Sequence, residues 1–93
     1  MKDFTVVLSG YKIRVRFRDD MAKNTLGEYC TQTKTIDLDE DNPAWAQTLC
    51  HELAHAFLDI SGFCEQMSGQ SEEHFCRAFE HVFGPLAAKY FKT

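Results

Sequence analysis

No two of the four cysteines in this 93-residue sequence stand at C-x-x-C spacing. Cys30, Cys50, Cys64 and Cys76 therefore do not suggest a zinc ribbon. No apolar run approaches the roughly 20 residues that a membrane-crossing helix needs. The stretch from Phe4 to Leu8 is too short for the core of a signal peptide. The expectation is a chain that stays in the cytoplasm with reduced, mostly buried thiols. Basic residues are not in excess: Lys and Arg number 10 against 14 Asp and Glu, a net charge of −4. That balance argues against a surface built as a whole for nucleic acid. Repeats, low-complexity tracts and linkers are also absent, so residues 1–93 read as one domain. A core this small often needs a staple such as a metal.

What is present begins with alternation. Phe4, Val6 and Leu8 share one strand face, and Gly10 permits a turn. Tyr11, Ile13, Val15 and Phe17 then share a face opposite Lys12, Arg14, Arg16 and Arg18. The basic row reads as the wet side of a strand. Gly27–Thr31 and Thr35–Leu38 flank a polar turn at 32–34 and read as a hairpin. The acids Asp37, Asp39, Glu40 and Asp41 lack EF-hand spacing and read as a solvated loop.

Asn42-Pro43 marks a helix start, and Gly62 a helix end. Between them Trp45, Leu49, Leu53, Ala56 and Ile60 form one apolar stripe. His51 and His55 lie nearly opposite it, which places the helix between two layers. A second helix is expected from Ser71, with Phe75, Phe79, Val82, Phe83 and Leu86 at core spacing. Gly84-Pro85 is expected to kink or break it, leaving a short terminal helix. The pattern is α+β: a small, mostly antiparallel sheet packed on two helices.

The chemistry lies in His51-Glu52-Leu53-Ala54-His55, an H-E-x-x-H run. On a helix the i, i+4 spacing brings both imidazoles to one face, where they can share one metal ion. Glu52 lies within reach of a water on that metal. Zinc with three protein ligands and a water is the catalytic arrangement, and a nearby carboxylate can take the water's proton. Chance matches arise in about 1% of shuffles of such a chain. Glu52 is also the only charged residue from Thr48 to Leu58, and a dry imidazole pair needs compensation.

The extended H-E-x-x-H-x-x-G-x-x-H pattern fails at Leu58 and Ser61, so the third ligand lies further on. Asp59, Glu65, Glu72, Glu73 and His74 are the candidates. Glu72 lies within about 30° of the centre of the Phe75/Phe79/Val82/Phe83 face and Glu73 about 130° away, at 100° per residue. If that face meets the first helix, Glu72 is the third ligand, with Glu73 as the alternative. His74 and His81 fall on the far side. Arg77 reads as solvated.

The run Thr48-Leu49-Cys50-His51-Glu52-Leu53-Ala54-His55-Ala56-Phe57-Leu58, followed by Glu72-Glu73-His74-Phe75-Cys76-Arg77-Ala78-Phe79, resembles zincin metallopeptidases of the gluzincin type. More narrowly it looks like small metallopeptidases of phages and prophages, relatives of the ImmA/IrrE-type and SprT-like minimal zincins. The E-A-N-x-F-A run typical of ImmA/IrrE proteins is absent. The resemblance implies a minimal sheet, an active-site helix and a Glu-bearing helix around one Zn²⁺. It also implies an edge strand for extended substrate, expected at Thr35–Leu38. The function so implied is a zinc metallopeptidase acting on a protein or peptide. No membrane partner is expected, and the charge balance argues against nucleic acid, for which Lys12, Arg14, Arg16 and Arg18 would be the facing row. The alternatives are a zinc-containing binding or regulatory module with weak or no catalysis, and a structural zinc closed by Cys50 or Cys64.

Overall fold

The computed structural model describes residues 2–93. Strand β1 (Phe4–Leu8) turns at Ser9-Gly10 into β2 (Tyr11–Arg18). Both turn residues have positive φ, 51° and 82°. A turn of that hand matches the twist of a two-residue hairpin, and glycine at the second position adopts it without strain. After a loop come β3 (Gly27–Cys30) and β4 (Thr35–Asp39), the expected second hairpin.

The four strands form one mixed sheet in the order β1-β2-β4-β3. The hairpin pairs β1–β2 and β3–β4 are antiparallel, while β2 and β4 run parallel. The edge-strand expectation is corrected here. The Thr35–Leu38 segment lies inside the sheet, and β3 forms the edge. Ile36 and Leu38 are wholly buried, so β4 is drawn inward by its two apolar side chains. β3 offers Gly27 and Tyr29 to the same side and leaves Glu28 and Cys30 exposed.

One face of the sheet carries the core. Ile13, Val15, Ile36 and Leu38 are fully buried against helix α1 (Trp45–Ser61). Each such side chain contributes about 1.5–3 kcal/mol relative to exposure. Trp45 meets Phe17 edge-on at 5.2 Å and Phe91 at 5.0 Å, which ties both helices to the sheet. The other face carries the basic row, largely paired with carboxylates. Arg16 makes two hydrogen bonds to Asp37, at 2.7 and 2.9 Å, and Arg18 pairs with Asp20 at 2.8 Å. Asp39 accepts from the backbone of Asp41.

Helix α1 starts two residues later than Asn42-Pro43 suggested. Asn42 does not cap the helix directly. Its side chain accepts from Ala44 N–H at 2.9 Å and donates to Thr48 Oγ1 at 2.8 Å, forming a turn ahead of the first helical residue. At the other end Gly62 takes the left-handed conformation and closes the helix. A single 3-10 turn (Phe63–Gln66) leads to helix α2 (Gly69–Phe91). Its N-cap is Ser68, which accepts from Ser71 N–H at 3.0 Å, so the helix begins ahead of the expected Ser71.

Two further expectations about α2 are corrected. The helix runs through Pro85 without a break. Proline removes one N–H and frees the carbonyl four residues back, and both Pro85 and His81 are exposed, so water can satisfy that carbonyl. The supposed core stripe is also largely outside. Val82 and Leu86 are each 64% exposed and Phe83 46%. The buried positions of α2 are Cys76 and Gly84, and Ala87 and Phe91 pack on the main core. A Cβ at Gly84 would lie 3.3 Å from the Gln47 side chain, which is why the helices can approach closely there. No helix among the described residues is long and apolar enough to cross a membrane.

Candidate metal centre

Helix α1 lies between the sheet and α2, and its His-bearing side faces α2. The imidazoles of His51 and His55 stand one turn apart, with ring centres 5.1 Å from each other. Both point their Nε2 atoms at one carboxylate. Glu73 Oε1 lies 2.9 Å from His51 Nε2, and Glu73 Oε2 lies 3.2 Å from His55 Nε2. Glu73, not Glu72, thus completes the group of possible metal ligands, His51, His55 and Glu73, with ligand atoms mutually within 4.8 Å.

The choice of Glu72 is corrected for a definite reason. It assumed that the Phe75/Phe79/Val82/Phe83 face meets α1. The face that does so carries Glu73, Cys76, Glu80 and Gly84. Glu72 still reaches the site from its flank. Its Oε2 lies 2.6 Å from His55 Nδ1, on the far side of the ring. Glu80 does the same for the other histidine, with Oε1 at 2.9 Å from His51 Nδ1. Each imidazole is therefore held at Nδ1 by one acid and presented at Nε2 to another.

This donor set fits a cation. With Nδ1–H donating to Glu72 or Glu80, each Nε2 is left with a lone pair. Two such lone pairs and the Glu73 carboxylate then converge as acceptors without a donor between them. Acceptors brought together in this way repel unless a proton or a metal ion lies among them. Two nitrogens and one carboxylate at these separations suit tetrahedral zinc with an open fourth position. Carboxylates on the outer ring nitrogens are the usual partners that orient such ligands.

Glu52 lies in the same pocket as the two histidines. It is 7% exposed and borders a pocket of about 340 Å³ together with His51, His55 and Glu73. Burial pushes its carboxyl above the usual range, and the neighbouring imidazoles pull it partly back. A raised carboxylate is a better proton acceptor. Glu73 is held below the usual range: its burial opposes ionisation, but His51 and His55 outweigh it.

The other wall of the pocket is the edge strand. Gly27, Glu28 and Tyr29 line it, with Thr31 beyond. At Gly27 a Cβ would sit 2.7 Å from Thr48 Cγ2 and 3.1 Å from Leu38, so glycine lets β3 lie close against α1. Tyr29 donates to Asp59 Oδ2 at 2.6 Å, and Lys34 pairs with the same oxygen at 2.7 Å. Burial and then the Asp59 carboxylate push the Tyr29 phenol well above its ordinary range. Asp59, a candidate third ligand by spacing, is instead occupied by these two groups.

The remaining candidates fall outside the group. Glu65 and His74 are exposed and do not belong to it. Arg77 is largely solvated and reaches Glu73 at 3.4 Å. Cys64 borders the pocket, whereas Cys50 is buried elsewhere on α1, and all four thiols are free. Sequence reasoning missed Glu80 and Tyr29. Glu80 carried a signal, since it lies two turns beyond Glu73 on the same face. Tyr29 carried none, because only the sheet order brings it beside α1. No family model, curated protein or solved structure matches this chain.

Proposed function

We propose that this chain is a zinc-dependent metallopeptidase of the minimal zincin kind, holding one Zn²⁺ between His51, His55 and Glu73. The supporting observation is the meeting of both Nε2 atoms with one carboxylate beside a buried Glu52. Zinc bound there would supply a water of lowered pKa and a positive charge opposite a developing oxyanion. The chain's own groups do the rest. Glu72 and Glu80 hold the imidazoles in one tautomer and orientation. Glu52 takes the proton of the attacking water and returns it to the leaving amine. The β3 edge has unpaired backbone groups on its outer side, onto which an extended peptide can add as a further strand. Free cysteines suit a reducing compartment, so the reading assigns the work to the cytoplasm and the partner to a protein or peptide.

Metal analysis of purified variants, read beside cleavage of a peptide library, tests this. Glu73→Ala and His51→Ala should lose zinc. Glu72→Ala should keep it with affinity lowered about 10–100-fold. Glu52→Gln should keep the metal and lose about 10²–10⁴ of the cleavage rate. Zinc lost from Glu72→Ala but kept in Glu73→Ala would sink the ligand assignment. Full biological effect from a zinc-loaded Glu52→Gln protein would favour a binding module instead.

A further inference from the structure

Helix α2 has two seams. The inner one, with Glu73, Cys76, Glu80 and Gly84, meets α1. The outer one carries Glu72, Phe75, Phe79, Val82, Leu86 and Lys89, at steps of three, four, three, four and three. That is the heptad rhythm by which one helix packs against another. Within the chain Phe79 packs partly against Ala54, Leu58 and Cys76, and the rest of the outer apolar seam has little cover. Phe75 is 37% exposed and Val82 and Leu86 are each 64% exposed.

Aromatic rings run alongside the seam. The rings of Phe63, Phe57, Phe75, Phe79 and Phe83 follow one another at centre distances of 6.3, 6.5, 6.2 and 4.7 Å. Beside them lies a groove of about 520 Å³, bordered by Leu8, Leu53, Phe57, Ile60 and Phe79 with only serines and a cysteine added. The exposed parts of these side chains come to on the order of 500–600 Å², taking ~150–250 Å² for each aromatic. This is the upper end of what a monomer leaves in water. It equals the non-polar share of a standard interface, which buries about 800 Å² per partner.

We propose that the outer seam of α2 pairs with the same seam of a second copy, antiparallel about a two-fold axis between Phe79 and Val82. The seam is its own complement in that arrangement. Phe79 meets Val82 of the other copy, Phe75 meets Leu86, and Lys89 at one end meets Glu72 at the other, through the carboxylate oxygen that His55 leaves free. A parallel pairing would set Glu72 against Glu72 and Lys89 against Lys89. Antiparallel helices also oppose their macrodipoles favourably. Two-fold pairing is the commonest closed symmetry and buries one patch on both copies. The groove and the metal pocket share no bordering residue, and of the seam residues Glu72 alone also borders the metal pocket.

Sedimentation of the full chain in reducing buffer tests this; the reductant keeps exposed Cys30 from linking copies. Wild type should run at twice the chain mass at micromolar concentration. Val82→Glu should weaken the dimer about a hundredfold while far-ultraviolet dichroism stays native. Lys89→Glu should weaken it several-fold, and mixing Lys89→Glu with wild type should give more dimer than Lys89→Glu alone. If Val82→Glu misfolds, Leu86→Glu and Lys89→Glu decide. A monomeric wild type overturns the proposal, as does a dimer indifferent to these substitutions. So does a monomer that instead co-floats with phosphatidylcholine vesicles, which would make the stripe a lipid-facing surface.

Discussion

The two sides of helix α1 are built on different principles. Toward the sheet it meets Ile13, Val15, Ile36 and Leu38, all fully buried and apolar. Toward α2 it meets a small cluster of Ala54, Leu58 and Cys76, then a run of imidazoles and carboxylates. The first side supplies burial. The second supplies few apolar contacts and many polar ones, each needing a partner in a fixed place. Apolar burial and polar pairing are thus divided between opposite faces of one helix. The polar face depends on the apolar face to hold α1 still.

Breaking the apolar side should give the largest effect. Leu49→Ala removes a side chain 2% exposed and should cost about 3–4 kcal/mol in urea unfolding. That is a large part of what a domain this size possesses. Leu86→Ala on α2, 64% exposed, should cost about 0.5 kcal/mol or less in the same measurement on the monomer. Equal costs would mean that the outer stripe is buried within one chain after all.

The polar side should answer to metal rather than to denaturant. Glu80→Gln leaves His51 Nδ1 with a weaker partner, so zinc affinity by competition with a chelator should fall about 10–100-fold. Unfolding of the metal-free protein should change by only about 1 kcal/mol. An unchanged affinity would make Glu80 a surface acid that happens to lie near the ring.

Asp59 sharpens the comparison, because it ties α1 to the hairpin by charge. Burial raises its carboxyl, but hydrogen bonds from Lys34 and Tyr29 more than reverse this, leaving it below the ordinary value. A carboxylate with a depressed folded pKa stabilises above its unfolded pKa, about 4, and loses that contribution as pH falls through the folded value. Asp59→Asn should therefore cost about 1 kcal/mol at neutral pH, and the gap to wild type should close in acid. A gap that widens below pH ~4 would reverse the sign and reject the argument.

Thiol chemistry gives the smallest and simplest contrast. Cys30 is exposed, and the Thr33 hydroxyl with the backbone of the turn lowers its thiol. Cys76 sits between the helices, pushed up to about 12 by burial. A chromogenic disulfide should label Cys30 in the native protein and Cys76 only on unfolding. Early labelling of Cys76 would show that α2 separates readily from α1.

Much of this was legible along the chain. The clean alternation of Tyr11 to Arg18 placed Ile13 and Val15 inside, because a period of two fits only a strand with one wet face. The i, i+4 histidines read as neighbours because helix geometry is local. Strand order was not legible. β4 follows a short turn and precedes the helix, like many edge strands, yet Ile36 and Leu38 carry it to the centre. The candidate third ligand turns on a related point, because the richest apolar stripe of α2 is not its inner one.

Local geometry therefore determined which residues share a face: Glu73 with Glu80, Phe75 with Phe79 and Val82, His51 with His55. Periodicity is a property of the backbone and needs no neighbour. Which face turns inward was decided only when the helices packed. The small thiol of Cys76 and the bare backbone at Gly84 allow the close approach that bulky phenylalanines would block, and Glu73 and Glu80 meet imidazoles that Phe79 and Phe83 could not satisfy. That balance of fit and polar pairing exists only between elements, and no single stretch of chain contains it.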